Sequence, residues 1–336
     1  MEQVIDQPWD FQTKFDPHRF TNSVSWKPEI FHLPPGECDK KDAHKMLLDQ
    51  VEVWGGSSKA GDVAQSQSSP RILCSIYTYH SNHQTQVKAI KETWASRCDG
   101  FVAFSDVSDN VLGTFGIKHQ GEEAWKNMWQ KSRAIWKYIH HHYREDFDWF
   151  LLGGDDIFII VENLRKYLMS NEIKNAARGA KNRSLPMYLG RRFILSTGKI
   201  FNSGGASYVL NKAALLVLAK NLDSPKCFVN QECPDEDVKV GHCLALEDVH
   251  AYDTRDPLGR ERFHPFTPGH HLNYRIPEGD SDWYKRYSIG LREGFECCSK
   301  DSLSFHYVKS DLMRRIFNLV YSCPKDTQLH LPRSPR

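Results

Sequence analysis

No run of eighteen or more apolar residues occurs in this 336-residue sequence, so it offers no segment that would span a membrane as a helix. The opening stretch, MEQVIDQPWDFQTKFDPHRF, lacks the basic start and apolar middle of a signal peptide. Net charge is nearly absent, at +2, which argues against the basic surplus of a dedicated nucleic-acid binder. Paired CxxC units are missing, although the chain carries nine cysteines. That count with that spacing favours a disulfide framework in an oxidising compartment over a zinc site. An odd number leaves at least one thiol free or bonded to another chain. The two absences conflict: the cysteines point to a secretory compartment, and the anchor that would hold the chain there is not in this sequence.

What is present is an ordinary globular composition, 40% hydrophobic and 26% charged, with ample length for a core. Residues 1–69 read as a stem or linker, because they contain PP, GG and the flexible tract GSSKAGDVAQSQSSP from Gly56 to Pro70. Cys38 lies there, outside the main body. Residues 70–325 read as the folded domain and 326–336 as a polar tail. Arg71 to Tyr79 (RILCSIYTY) is β-prone, Gln84 to Arg97 reads as a helix, and Phe101 to Phe104 as a second strand. That order predicts a parallel βαβ unit. Thr78 and Tyr79 then fall at the carboxyl end of a strand, where open α/β sheets bind nucleotides. Ordinary loop residues would look the same.

From Ala124 to Tyr143, apolar and aromatic residues recur every three or four positions and predict a helix with a broad buried face. Lys131 and Arg133 sit on its other faces; a solvated lysine is the expectation, with phosphate contact as the alternative. The run His140 to His142 points in three directions on a helix and reads as a cationic helix end rather than a metal cluster.

The central stretch is DWFLLGGDDIFII, Asp148 to Ile160. Its first apolar run has the pattern of a strand buried on both faces. Two carboxylates, Asp155 and Asp156, follow where that strand gives way to a loop. A metal ion or a sugar hydroxyl would suit them; so would a plain Gly-Gly-Asp-Asp turn. Downstream, Gly204 and Gly205 permit close backbone approach to a ligand. Asp235, Glu236 and Asp237 either cap a helix or supply a general base. Trp283 and Tyr284 offer a stacking surface for a sugar or a piece of core. Adjacent cysteines such as Cys297 and Cys298 can bond only through a strained ring, or each pairs elsewhere.

Taken in order, RILC, KETWASRC, NMWQKS, DWFLLGGDD, YLGRRF, SGGASYVL, EDVKVGHC, FHPFTPGHHL and CCS with SFHY resemble the metal-dependent inverting β1,3-glycosyltransferases of the Golgi, from about Arg71 to Cys323. The resemblance implies an α/β chain of the GT-A type, a Rossmann-like mixed sheet flanked by helices in one catalytic domain. It implies a UDP-sugar donor, UDP-galactose in the branch matched, and transfer to the 3-hydroxyl of Ser/Thr-linked N-acetylgalactosamine on a glycoprotein acceptor. It implies Mn²⁺ held by Asp156 and His306, donor contacts from Thr78, Tyr79, Lys131, Asp155, Gly204 and Gly205, and Asp237 as catalytic base with Glu236 as its rival. Trp283 and Tyr284 become acceptor contacts, and the matching cysteines suggest the pairs Cys74–Cys98 and Cys227–Cys243, with Cys297–Cys298 a third pair. Such enzymes are type II membrane proteins of the Golgi lumen; nucleic acid has no part, and a homodimer is compatible. Relatives usually carry three consecutive acids where this chain has Gly154, Asp155 and Asp156. Losing one charge-assisted hydrogen bond is worth about 1.5–3 kcal/mol, roughly ten- to a hundredfold in donor affinity. Gly154 also motivates two alternatives: a β1,3-transferase of another UDP-sugar, and a catalytically inactive, chaperone-like partner of an active transferase.

Overall fold

The computed structural model describes residues 13–18, 34, 36–55 and 69–325; most of the proposed stem and the polar tail lie outside them. β1 (Ile72–Tyr77) is flanked by β2 (Gly100–Ser105) and β4 (Trp149–Gly154), parallel to both, and β3 (Thr114–Gly116) extends the parallel set. Two antiparallel steps complete the sheet: β9 (Tyr208–Asn211) pairs with β4, and β6 (Tyr188–Gly190) with β9. The order is β3-β2-β1-β4-β9-β6, a mixed sheet. β5 (Phe158–Ile159), β10 (Phe263–His264) and β11 (Ser304–Phe305) form a second small sheet, and β7 (Arg192–Ile194) pairs with β8 (Ile200–Asn202).

The continuous apolar runs of β1 and β4 follow from burial on both faces. Ile72, Cys74, Ile76, Trp149 and Leu151 enter one core; Leu73, Phe150 and Leu152 enter the other, as a two-residue period requires. The first core is closed by α1 (Ala43–Leu48), α2 (Lys88–Glu92), α4 (Val161–Leu168) and, at the C-terminal end, α10 (Ser310–Tyr321). On the second lie α3 (Met128–Tyr143), α6 (Lys212–Asn221) and α7 (Glu236–Ala245). Short helices α5 (Asn171–Ala176), α8 (Pro268–Asn273) and α9 (Trp283–Tyr287) join loops. No helix among the described residues is long and apolar enough to cross a membrane.

Two expectations change. The segment expected to be one helix from Gln84 to Arg97 is a π turn, the short α2 and a 3-10 turn. Thr93 explains its end: its hydroxyl donates to the carbonyls of Ala89 and Ile90, competing with the helical ladder. Between β6 and β7 the chain breaks where the Arg191 side chain turns inward to pair with Glu261. Lys131 and Arg133 are buried, not solvated. Arg133 donates to the carbonyls of Leu222 and Val229, so a polar letter on α3 marks an inward face.

Disulfides join Cys74 to Cys98, Cys227 to Cys243, Cys297 to Cys298 and Cys38 to Cys323; Cys233 is a buried thiol. The last bond brings residues 36–55 onto the domain, where composition had placed a linker. There Leu47, Leu48 and Val51 are buried, Arg315 of α10 pairs with Glu37 and Asp42, and the Trp54 N–H donates to Asn163. Cys38→Ser or Cys323→Ser is expected to cost about 2–5 kcal/mol of stability, read as a lowered urea midpoint.

Candidate active site

The chain leaves β1 toward β2 on one side and returns with β4 on the other, so a crevice opens at the carboxyl ends of β1 and β4, where open α/β sheets place their ligands. Tyr77 and Gly154 stand side by side there in the strand register. Beyond them come Thr78 and Tyr79 on one strand, and Asp155 and Asp156 on the other. Asp155 is fixed to the first: its Oδ2 accepts from Thr78 Oγ1 at 2.6 Å and from Asn82 Nδ2 at 2.9 Å. Burial raises its pKa, and those two bonds offset only part of the rise. Lys131 braces the same loop from behind. Its Nζ donates to the Thr78 carbonyl at 2.6 Å and to Glu123 at 2.5 Å, and lies 4.5 Å from the centre of the Tyr79 ring.

Asp156 faces a residue 150 positions away. Its Oδ1 lies 3.2 Å from His306 Nε2. Burial opposes charge on Asp156, but the His306 hydrogen bond and charge outweigh it and hold the carboxyl below its ordinary value. His306 follows β11, and its Nδ1 lies 3.3 Å from the Pro265 carbonyl. That contact leaves Nε2 directed at the carboxylate, as an outer partner orients a metal-ligating histidine. Adjacent ligands of a cation with bonds of about 2.1 Å are about 3 Å apart, and a carboxylate with an imidazole suits Mn²⁺. The pair fits such an ion.

A tight turn joins this pair to a second acid pair. The Gly204 N–H donates to Asp237 Oδ2 at 2.8 Å, and the place of a Gly204 Cβ is taken by Glu236 Oε1. The place of a Gly205 Cβ is taken by the His306 ring. Only glycine allows both approaches. Ser207, which closes the turn on the Gly204 carbonyl, and Tyr307, next to His306, both hold left-handed backbone at φ 63° and 56°. Such strain, of order 1 kcal/mol or more each, gathers where surrounding structure fixes a site.

The two acids at the start of α7 differ. Asp237 accepts a second backbone N–H, from Val238 at 2.8 Å on Oδ1. Burial raises its pKa and those N–H groups restrain the rise. A carboxylate has about four lone-pair positions, so both oxygens keep capacity for a substrate proton. Glu236 lies deeper. Burial first, then the charge of Asp237, push it up to about 8, although Tyr208 donates to its Oε2 at 3.0 Å. Glu236 therefore carries a proton at neutral pH. Tyr77 feels all four acids: after burial itself, Glu236, Asp237, Asp156 and Asp155 raise its pKa.

Glu236 makes stability depend on pH with a definite sign. Its folded value lies above the ordinary 4.5, so the folded chain holds the proton more tightly. Its contribution is complete below about pH 4.5 and is lost as pH rises through about 8, up to several kcal/mol. Asp237, Tyr77, Tyr188 and Tyr208 share its electrostatic environment. Glu236→Gln is expected to flatten that dependence: its unfolding free energy, compared with wild type at pH 5 and pH 9, should gain relative to wild type at the higher pH.

Of the aromatic pair on α9, Tyr284 is buried (3% exposed) and its hydroxyl lies 3.4 Å from Arg191. Trp283 stays exposed at 45%. The row continues as Phe266, 5.6 Å from Trp283, and Tyr307, which is 50% exposed and stacks on His306 at 3.9 Å. Tyr77, Asn82, Glu123 and Tyr307 escaped sequence reasoning. A hint existed for Tyr77 and Tyr307 alone, each next to a residue singled out.

The mixed sheet flanked by helices is that of an α/β chain of the GT-A type. Residues 67–251 match the Fringe-like family model, and this chain belongs to that family. It is 33% identical over 252 residues, 75% of its length, to glycoprotein-N-acetylgalactosamine 3-beta-galactosyltransferase 1 of Xenopus laevis, of which it covers 66%. It is 25% identical over 174 residues, 46% of its length, to mouse chondroitin sulfate synthase 3, covering 18% of that protein. The figures for human chondroitin sulfate glucuronyltransferase are 26% over 182 residues, 53% and 22%. The chain thus spans just under two thirds of the Xenopus protein and less than a quarter of the other two.

Proposed function

We propose that this protein is an inverting β1,3-glycosyltransferase that moves galactose from UDP-galactose to the 3-hydroxyl of Ser/Thr-linked N-acetylgalactosamine on a glycoprotein. One observation carries the reading: the Ser203–Ser207 turn touches Asp237 through Gly204 and His306 through Gly205, so a base and a cation pair share one crevice. Donor and acceptor rest on the name of the Xenopus relative.

In this reading Asp237 takes the acceptor hydroxyl's proton as that oxygen attacks the anomeric carbon on the face opposite the departing UDP. Glu236, already protonated, is ill suited to that role and sets the Asp237 environment instead. Asp156 and His306 would hold Mn²⁺, which supplies positive charge for the leaving diphosphate. Asp155, with Thr78, Tyr79 and Lys131 behind it, forms the donor side of the crevice. Trp283 and Tyr307 provide apolar faces for the acceptor sugar, while Tyr284 supports them from within. Residues 70–325 are the catalytic unit, extended by residues 36–55.

The test is UDP release from UDP-galactose by purified protein, with an N-acetylgalactosaminyl peptide, in Mn²⁺ and in chelator. Release that requires both metal and peptide is expected. UDP binding without release would point to another donor or acceptor; neither binding nor release would favour the chaperone-like partner that Gly154 suggests. Retention of Asp156 and His306 in contact argues for the enzyme.

A further inference from the structure

A second group of ligand-type atoms includes His264 of β10, whose carbonyl accepts the backbone N–H of His306 at 3.1 Å. Nitrogens of His264 and His271 and the sulfur of Cys298 lie within 4.8 Å of one another, and all three residues are buried. Among the described residues, His264 Nδ1 and His271 Nε2 have no hydrogen-bond partner, although buried imidazole nitrogens are ordinarily satisfied. The His264 tautomer follows from its neighbours. Ser302 Oγ donates its proton to the Ser299 carbonyl at 2.6 Å, so it accepts from His264 Nε2–H at 2.9 Å. Nδ1 is left with a bare lone pair. This is the outer-partner arrangement found behind metal-bound histidine. Burial, with Arg191 adding to it, holds both imidazoles neutral, the form that binds a metal. Arg191 is itself paired with Glu261. What closes the site is the bond from Cys298 to Cys297, since a disulfide sulfur is not the thiolate that metals take.

We propose that His264 Nδ1, His271 Nε2 and the Cys298 thiolate form a buried Zn²⁺ site that becomes available when the Cys297–Cys298 disulfide is reduced. Reduction needs a dithiol, which gives two electrons and two protons to the two sulfurs and leaves as its own disulfide. Cys298 then releases its proton as its sulfur binds the metal. Two nitrogens at about 2.0–2.1 Å and one sulfur at about 2.3 Å are the ordinary zinc distances. Donors so bonded stand about 3.3–3.7 Å apart, so the group must draw together by up to about 1.5 Å. The fourth position is left to a water or to a small anion.

The experiment uses Co²⁺ as a spectroscopic stand-in for Zn²⁺ and the full chain with Cys297→Ser, which frees the Cys298 thiol while leaving the other disulfides intact. One equivalent of Co²⁺ is expected to give a near-ultraviolet thiolate-to-metal band, displaced by Zn²⁺. Oxidised wild type should give none. Adding His271→Gln or His264→Gln should weaken Co²⁺ binding at least tenfold, whereas Cys233→Ser should change nothing. The Asp156–His306 pair has no sulfur and cannot produce the band, so the result is independent of the proposed transferase activity. No band from folded Cys297→Ser protein, or a band that survives both histidine substitutions, would overturn the assignment. Should Cys297→Ser not fold, wild type reduced with dithiothreitol and freed of it by gel filtration gives the same reading, with the same two outcomes deciding.

Discussion

Asp237→Asn is expected to lower kcat about 10²–10⁴-fold, the contribution typical of a positioned general base, with UDP binding close to wild type. Asparagine keeps an oxygen for the Gly204 N–H bond at 2.8 Å but gives up the bond from the Val238 N–H, at a stability cost of about 1–3 kcal/mol. It also removes the capacity to take a proton. Glu236→Gln provides the contrast. Glu236 is pushed up to about 8 by burial, so its neutral replacement resembles the form it already has at neutral pH. It should retain turnover within about tenfold while altering the pH profile above neutrality. If Glu236→Gln were the more damaging change, the roles assigned to the two acids would be reversed. Steady-state rates from pH 6 to 9 for both variants decide the matter.

The second large effect is expected at the cation pair. Asp156→Ala and His306→Ala should each weaken Mn²⁺-dependent UDP binding at least a hundredfold, and chelation of wild type should do the same. Each substitution removes one of two contacting side chains, 3.2 Å apart, and a bound cation is worth several kcal/mol to a charged leaving group. Calorimetric titration with UDP, with and without Mn²⁺, reads this directly. The double variant should be scarcely worse than either single one, because the two ligands act as a unit. Full additivity would mean that they bind different things.

Much of the frame was legible because its signals are local. A strand buried on both faces declares itself as an apolar run, and WFLL became the centre of β4 with each side chain buried. The repeat of aromatics on α3 declared a buried face in the same way. What sequence could not show depends on partners far along the chain. Lys131 looked like a solvated cation until Glu123 and the Thr78 carbonyl were found to enclose it. Nothing near Arg191 in the sequence points to its partner, Glu261, seventy positions on. Cys38 and Cys323 are 285 residues apart, and no spacing rule links such a pair. At the site, the resemblance supplied the acids and the histidine. The geometry added Tyr77 among the acids, Asn82 on Asp155, and the turn whose glycines admit Glu236 and His306.

The bond between Cys38 and Cys323 also changes how the domain would bear a load. A pull on anything attached upstream of Cys38 does not have to travel along the backbone into β1. It crosses one sulfur–sulfur link directly to the end of α10. Traction from upstream of Cys38 would therefore reach the domain first through α10, at the outer side of the core, rather than through the end of β1.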